Sequence, residues 1–228
     1  MLDYTTDGFT DPYWASWLRW HLYLKHRKQN RRRRFRGALL RLRTHLRRLP
    51  PGSLVIDCGA NVGHMTDYFL QHGMRVIAFE PDLVALETLS ARFSAHRDVR
   101  IVPKAVGKQG SAMLFQNKSL AAGDIRLSEN SSLFSHSGAD KPAAMVDVID
   151  LASFIHGLGE PVRVLKMDIE GAEADVLEGL LDSGLYREID LILAEAHHKI
   201  STDVSRRLEA LQERIRDQGI ENISLDWL

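Results

Sequence analysis

The chain has 228 residues, with 30 basic and 30 acidic side chains; 44% of its residues are hydrophobic and 26% charged, with 7 prolines and 16 glycines. This composition supports one α/β domain with an appendage and excludes a disordered chain, a collagen and a coiled-coil fibre. The single cysteine, Cys58, excludes an internal disulfide, and no run approaches the ~18 apolar residues of a membrane span. The first twelve residues lack the basic start and apolar core of a signal peptide, so the cytoplasm is the expected compartment.

Charge is unevenly placed. Residues 1–50 hold thirteen of the 30 basic residues and only three acids, Asp3, Asp7 and Asp11, so that an excess of +10 there is balanced by −10 over residues 51–228. Pro50-Pro51-Gly52 marks the boundary, because paired prolines and a glycine stop a helix. In the arm, Trp14, Trp17 and Trp20 with Leu18, Leu22 and Leu24 predict a helix with an aromatic face. Phe35, Leu39, Leu42, Leu46 and Leu49 predict a second, amphipathic helix, and Arg31–Arg34 lies between the two. Such an arm, with Tyr23 among its aromatics, fits peripheral contact with an anionic membrane, tracking of a nucleic-acid backbone, or docking on the acidic core.

Residues 51–228 alternate short β-type runs with helical ones. Strands are predicted at Leu54–Asp57, Arg75–Glu80 and Val99–Val106, with helices at Val62–His72 and Leu83–His96 between them. Residues 107–143, rich in glycine and serine, read as a short strand at Ala112–Gln116 and a long loop, with Asn130-Ser131-Ser132 expected to help shape a pocket. A strand near Met145–Ile149, a short helix to His156, the strand Val162–Ile169 and a helix at Ala172–Leu181 follow. The strand Leu191–Ala196, a helix at Thr202–Gln218 and the strand Ile223–Trp227 complete the pattern. This is the signature of a doubly wound, mostly parallel, Rossmann-like sheet covered on both faces.

Ligands of such sheets bind beyond the carboxyl ends of the strands, where strand order reverses. The first strand ends in Asp57-Cys58-Gly59-Ala60-Asn61-Val62-Gly63, in which Gly59 permits a tight turn and Gly63 lets the following helix pack closely. The spacing D-x-G-x-x-x-G differs from the G-x-G-x-x-G of pyrophosphate sites. Glu80, at the end of the second strand, is placed to accept hydrogen bonds from the two hydroxyls of a ribose. A structural turn and an exposed strand-end acid are the alternatives for the two features. Together they point to a nucleoside ligand without a required pyrophosphate, and Cys58 reads as a small buried residue beside the turn.

Val55–Gly63, Ala78-Phe79-Glu80-Pro81 and Leu165–Glu173, the last reading K-x-D-x-E-G-x-E, resemble the FkbM family of S-adenosylmethionine-dependent methyltransferases over residues 50 to 200. The resemblance implies a class I methyltransferase fold, S-adenosylmethionine as cofactor, and methylation of a hydroxyl on a sugar, glycan or secondary metabolite. It also implies that Asp57, Gly59, Asn61 and Gly63 line the methionine end of the cofactor, that Glu80 holds its ribose and that Ala105 lies near its adenine; Ala60 and Pro81 belong to the same set. Such folds commonly finish with paired sixth and seventh strands, whereas here only Ile223–Trp227 remains.

In a strand, alternate residues share a face, so Lys166, Asp168 and Glu170 are expected to point the same way, with Glu195 and His197 repeating the arrangement on a neighbouring strand. Charges at such ends are paired, ligand-bound or catalytic, and an ion cluster centred on Lys166 is the structural alternative. Methyl transfer needs donor and acceptor held in line and a proton removed from the acceptor. Asp168, Glu170, Glu195 and His197 are the candidates: His197 has the most suitable ordinary pKa, and Asp168 is placed to touch the cofactor's amino group. The same donors could hold a divalent metal, a less favoured reading because no tight two-ligand motif fixes one. Glu173, Asp175 and Glu178 read as acids favoured at the start of a helix. RNA methylation is the enzymatic runner-up, but Asp168-Ile169-Glu170-Gly171 stands where an N-P-P-Y-like motif would be, and a non-catalytic membrane- or nucleic-acid-binding protein would not need Glu80 together with charged strand ends.

Overall fold

Six runs of aliphatic and β-branched residues pair as one parallel sheet. In the computed structural model, which describes residues 29–117, 132–133, 140–197 and 200–227, they are β1 (Leu54–Cys58), β2 (Arg75–Phe79), β3 (Val99–Val102), β7 (Val162–Met167), β8 (Leu191–Glu195) and β9 (Ile223–Trp227), in the order β3-β2-β1-β7-β8-β9. The chain runs outward from β1 to β3 and then returns to the other side of β1 with β7. Strand order therefore reverses between β1 and β7, and the carboxyl ends there open a crevice.

Side chains alternate between the faces. Leu54, Ile56, Leu165 and Ile192 join one core with α4 (Leu151–His156), α5 (Glu173–Ser183) and α6 (Thr202–Asp217). Val55, Val76, Val164 and Leu193 join the other with α1 (Gln29–Leu46), α2 (His64–Gln71) and α3 (Leu83–Phe93). The expected doubly wound architecture is present, and β9 closes it as a parallel edge strand beside β8.

Three elements differ from expectation. The run Val99–Val106 is two strands, because Pro103 has no N–H to donate to a ladder; β3 stops at Val102 and β4 (Ala105–Val106) leaves the main sheet. β4 joins a second sheet, β4-β6-β5, in which β5 (Gly110–Asn117) and β6 (Asp140–Ile149) are antiparallel and longer than their patterns indicated. β7 ends at Met167, so Asp168 and Glu170 lie beyond the strand.

In the arm, α1 is continuous from Gln29, so Arg31–Arg34 lies within a helix and not between two. Phe35, Ala38, Leu42 and Leu46 are buried against β8 and β9, and the Phe35 ring meets Trp227 edge-on with centroids 5.0 Å apart. The change of charge at Pro50–Gly52 thus does not coincide with a break in the core. Trp14, Trp17, Trp20 and Tyr23 lie outside the described residues, as do Asn130 and Ser131. Among the described residues no helix is long and apolar enough to cross a membrane.

Burial of Phe35 makes α1 part of the folding unit. Phe35→Ala should cost about 3–5 kcal/mol in urea unfolding, and Arg36→Ala, on the exposed face of the same helix, no more than about 0.5 kcal/mol.

Candidate active site

The loop after β1 is shaped by two glycines for different reasons. Gly59 has φ +73°, and a Cβ there would lie 1.8 Å from the Asp168 carbonyl oxygen, so only glycine lets the ends of β1 and β7 approach this closely. Gly63, at φ +88° ahead of α2, faces Phe93 and Leu89 of α3, which a Cβ would strike at 2.4 and 2.7 Å. The Gly59 and Ala60 N–H groups both donate to the Phe79 carbonyl, at 3.0 and 2.9 Å, tying the loop to the end of β2.

Beneath the loop lies a sealed ion pair. Lys166 Nζ is 3.1 Å from Asp57 Oδ1 and donates to the Gly59 and Cys58 carbonyls at 2.8 and 3.2 Å, while Thr66 Oγ1 donates to Asp57 Oδ2 at 2.8 Å. Burial disfavours the ammonium, but the carboxylates of Asp57 and Asp168 more than offset this and raise the Lys166 pKa. Asp57 is fully buried and faces Lys166 and Thr66, so it supports the loop from below. Burial pushes the Cys58 thiol pKa well up, leaving it an inert packing group.

Glu80 projects from the end of β2 into the same region. Its Oε2 accepts from the Asn61 N–H at 2.7 Å and its Oε1 from the Asp82 N–H at 2.8 Å, which fixes the carboxylate and leaves each oxygen a further lone pair. Asn61 adopts φ +50°, turning its N–H toward Glu80. Burial pushes the Glu80 pKa up to about 7 against the two backbone donors, which favour the charged form.

An open cavity of about 590 Å³, counting its solvent-facing mouth, lies at this reversal of strand order. Of the predicted cofactor residues, Gly59, Asn61, Glu80, Pro81, Ala105 and Asp168 line it, and Glu170 joins them. Asp57, Ala60 and Gly63 are not among its lining residues. Phe79, Lys104, Val106, Leu114, Leu133 and Ile169 complete the lining. Leu114 and Leu133 come from the glycine- and serine-rich region; no local pattern marks either residue.

The charged strand ends are organised differently from the expectation. Lys166 points into the sheet toward Asp57, whereas Glu170 adopts φ +51° in the turn after β7, so strand alternation does not set its direction. The centre of the cluster is His197, not Lys166. Its Nε2 lies 3.2 Å from Glu170 Oε2, 3.7 Å from Glu195 Oε1 and 3.8 Å from Asp168 Oδ1, and its Nδ1 is 2.8 Å from Glu173 Oε1. Glu173 is fully buried and accepts from the Ile169 and Gly171 N–H groups at 2.9 and 2.8 Å, so it clamps the turn as well as the imidazole. Reading Glu173 only as an acid suited to a helix start missed this. The available signal was its place just beyond a glycine turn, from which a first-turn carboxylate can reach back to loop N–H groups.

Burial pulls the His197 pKa down, but the hydrogen bond and charge of Glu173, then the charges of Glu170 and Glu195, outweigh it and push the value up to about 10. At neutral pH the imidazole is therefore a cation among carboxylates. Its ordinary pKa, the reason for expecting a proton acceptor, does not apply in this setting. The side chains of Asp168 and Glu170 remain 34% and 22% exposed, both toward the cavity.

Residues 57–220, well over half of the chain, match the family described as the methyltransferase FkbM domain. The chain belongs to the FkbM methyltransferase family. Among relatives of this FkbM-family chain, the AMB antimetabolite synthetase AmbE of Pseudomonas aeruginosa is 27% identical over 207 residues, covering 76% of this chain and 10% of that protein. Methyltransferase 1 of Beauveria bassiana is 29% identical over 150 residues, covering 58% of this chain and 60% of that protein. The chain thus spans a tenth and three fifths of the length of these two curated relatives. Similar solved structures are Methyltransferase FkbM from Methylobacillus flagellatus and a TehB-like SAM-dependent methyltransferase from Corynebacterium glutamicum. The first has a TM-score of 0.42 and 18% identity, covering 72% of this chain and 38% of that one. The second has a TM-score of 0.34 and 12% identity, covering 87% of this chain and 80% of that one.

The ion pair beneath the glycine loop of the FkbM domain should be costly to break. Lys166→Met leaves the Asp57 carboxylate buried beside an apolar chain, and a loss of about 3–5 kcal/mol is expected in chemical unfolding. A midpoint equal to that of the wild type would show that the pair adds no net stability.

Proposed function

We propose that this chain transfers the methyl group of S-adenosylmethionine to a hydroxyl of a sugar, glycan or secondary metabolite. The observation that carries the reading is the continuity of one cavity from the buried Glu80 carboxylate to the carboxylates of Asp168 and Glu170. The residues present fit the cofactor: Glu80 is held by two backbone donors with lone pairs left for two ribose hydroxyls, Pro81 and Ala105 offer an apolar wall for adenine, and Gly59 leaves the loop without a side chain.

When bound, S-adenosylmethionine supplies a methyl group on a sulfonium, a good leaving group. Asp168 and Glu170 would orient the acceptor hydroxyl toward that methyl group, and Asp168 would accept the hydroxyl proton. His197 holds these carboxylates in place as an imidazolium, with Glu173 behind it. Leu114, Leu133, Val106 and Ile169 provide an apolar flank for the rest of the acceptor. Glu80, Asp168 and Glu170 give the cavity an anionic wall, which disfavours a nucleic-acid phosphate chain and makes RNA the weaker choice.

Two outcomes test the reading. S-Adenosylhomocysteine should bind in calorimetry, and because ribose hydroxyls favour the ionised Glu80, its affinity should fall as pH drops below about 7, by up to tenfold per unit; Glu80→Gln should bind more weakly and lose this slope. In the free protein the sign is opposite. The Glu80 contribution to folding is fully present below its unfolded value of 4.5 and is lost as pH rises through about 7. Asp168→Asn should lower the rate of methyl transfer to hydroxylated acceptors about 10²–10⁴-fold, with a much smaller change in S-adenosylhomocysteine affinity. Unchanged turnover would remove Asp168 from proton transfer.

A further inference from the structure

Asp168, Glu170 and His197 bring one donor atom each to a common point from two separate segments, the turn after β7 and the residues that follow β8. These three atoms all lie within 4.8 Å of one another, with His197 Nε2 3.2 Å from Glu170 Oε2 and 3.8 Å from Asp168 Oδ1. Ligand atoms about 2.1 Å from one ion stand roughly 3.0 Å apart at adjacent octahedral corners and roughly 3.4 Å apart in a tetrahedron. Bringing separations of 3.8 Å and up to 4.8 Å onto such a face takes shifts of roughly 0.5–1.5 Å, which rotation of the partly exposed Asp168 and Glu170 side chains supplies.

The far side of the imidazole is arranged to match. His197 Nδ1 is fixed on Glu173 Oε1 at 2.8 Å, and Glu173 is itself anchored by the Ile169 and Gly171 N–H groups. A carboxylate behind a histidine is the usual support of a metal-bound imidazole, because it selects the tautomer with a free Nε2 lone pair and sets the ring's orientation. Asp168 and Glu170 also line the cavity, so positions not taken by protein would face the acceptor.

We propose that Asp168, Glu170 and His197 bind one divalent cation accepting both oxygen and imidazole nitrogen, Mn²⁺ before Mg²⁺, and that it coordinates and acidifies the acceptor hydroxyl. The role of the cation, though not its binding, rests on the methyl-transfer reading. Two carboxylates suit Mn²⁺ and Mg²⁺, and the imidazole moves the preference toward Mn²⁺. The cation takes the place of a proton on Nε2 while Nδ1–H stays on Glu173. In the transfer step the hydroxyl proton passes to the Asp168 carboxylate oxygen that does not hold the cation, the coordinated oxygen attacks the methyl carbon, and the carbon–sulfur pair returns to sulfur.

The test is titration of the chelator-treated full chain with Mn²⁺, following the free ion by electron paramagnetic resonance, with S-adenosylhomocysteine titrated separately with and without Mn²⁺. One Mn²⁺ per chain is expected, competed by Mg²⁺, with at least tenfold weaker binding in Asp168→Asn, Glu170→Gln and His197→Gln and 10–100-fold weaker binding in Glu173→Gln. Glu160→Gln, on a surface pair with Arg75, should bind as the wild type does. If a variant does not fold, the wild type still decides: Mn²⁺ should selectively broaden the His197 imidazole resonances. Absence of saturable binding, or binding that leaves His197 sharp, overturns the site. S-Adenosylhomocysteine binding without Mn²⁺ binding removes the cation and keeps the methyl-transfer reading; Mn²⁺ binding without S-adenosylhomocysteine binding does the reverse.

Discussion

Lys166 and Asp57 face each other across β7 and β1 in a region that water does not reach, at the place where strand order reverses. Neither charge would be tolerated there alone, since removing two ions from water is repaid only when they are paired and their remaining hydrogen-bonding capacity is met. Lys166 meets it by donating to the Cys58 and Gly59 carbonyls, and Asp57 by accepting from Thr66 on α2. The two charges therefore dictate the path of the glycine loop, the docking of α2 and the separation of the two central strands. Gly59 then becomes obligatory, because the Asp168 carbonyl sits where its Cβ would be. Much of the cavity wall follows from this packing of backbone against backbone.

The half of the cavity that holds Glu80 was legible in the sequence because its determinants are local. A strand of aliphatics, a glycine turn, a helix and a second strand ending in an acid occupy residues 54–80, and each step uses short-range periodicity or turn chemistry. The other half depends on contacts between distant residues. His197 meets Glu173 across 24 positions and Asp168 and Glu170 across a turn whose left-handed Glu170 conformation no periodicity encodes. The small sheet was missed for a related reason. β5 and β6 are separated by more than twenty residues, so nothing in a short window shows that they pair, and a proline read as part of a strand was the point at which the chain changed sheets.

The charge pattern of the chain was read correctly as an asymmetry, but charge and packing need not divide a chain at the same residue. α1 keeps arginines on its outer face and places Phe35, Ala38, Leu42 and Leu46 against the far side of the sheet, so a basic segment also completes a hydrophobic layer. An amphipathic helix carries both instructions at once, and the spacing of its apolar residues decides which face is buried.

The two halves of the cavity also differ in what joins them. Around Glu80 the wall is fastened by backbone N–H groups of adjacent loops, whereas Val106 and Leu114 of the apolar flank come from the second sheet. One fastening is specific: Ser132 Oγ donates to the Glu170 carbonyl at 2.6 Å, and the Ser132 backbone exchanges hydrogen bonds with Phe115 of β5 at 2.8 and 3.1 Å. Ser132 thereby links β5 to the backbone of Glu170, the residue whose left-handed conformation aims its carboxylate at His197. The second sheet and the Asp168–Glu170 turn are thus connected by a short path, while Glu80 is anchored by the Asn61 and Asp82 N–H groups.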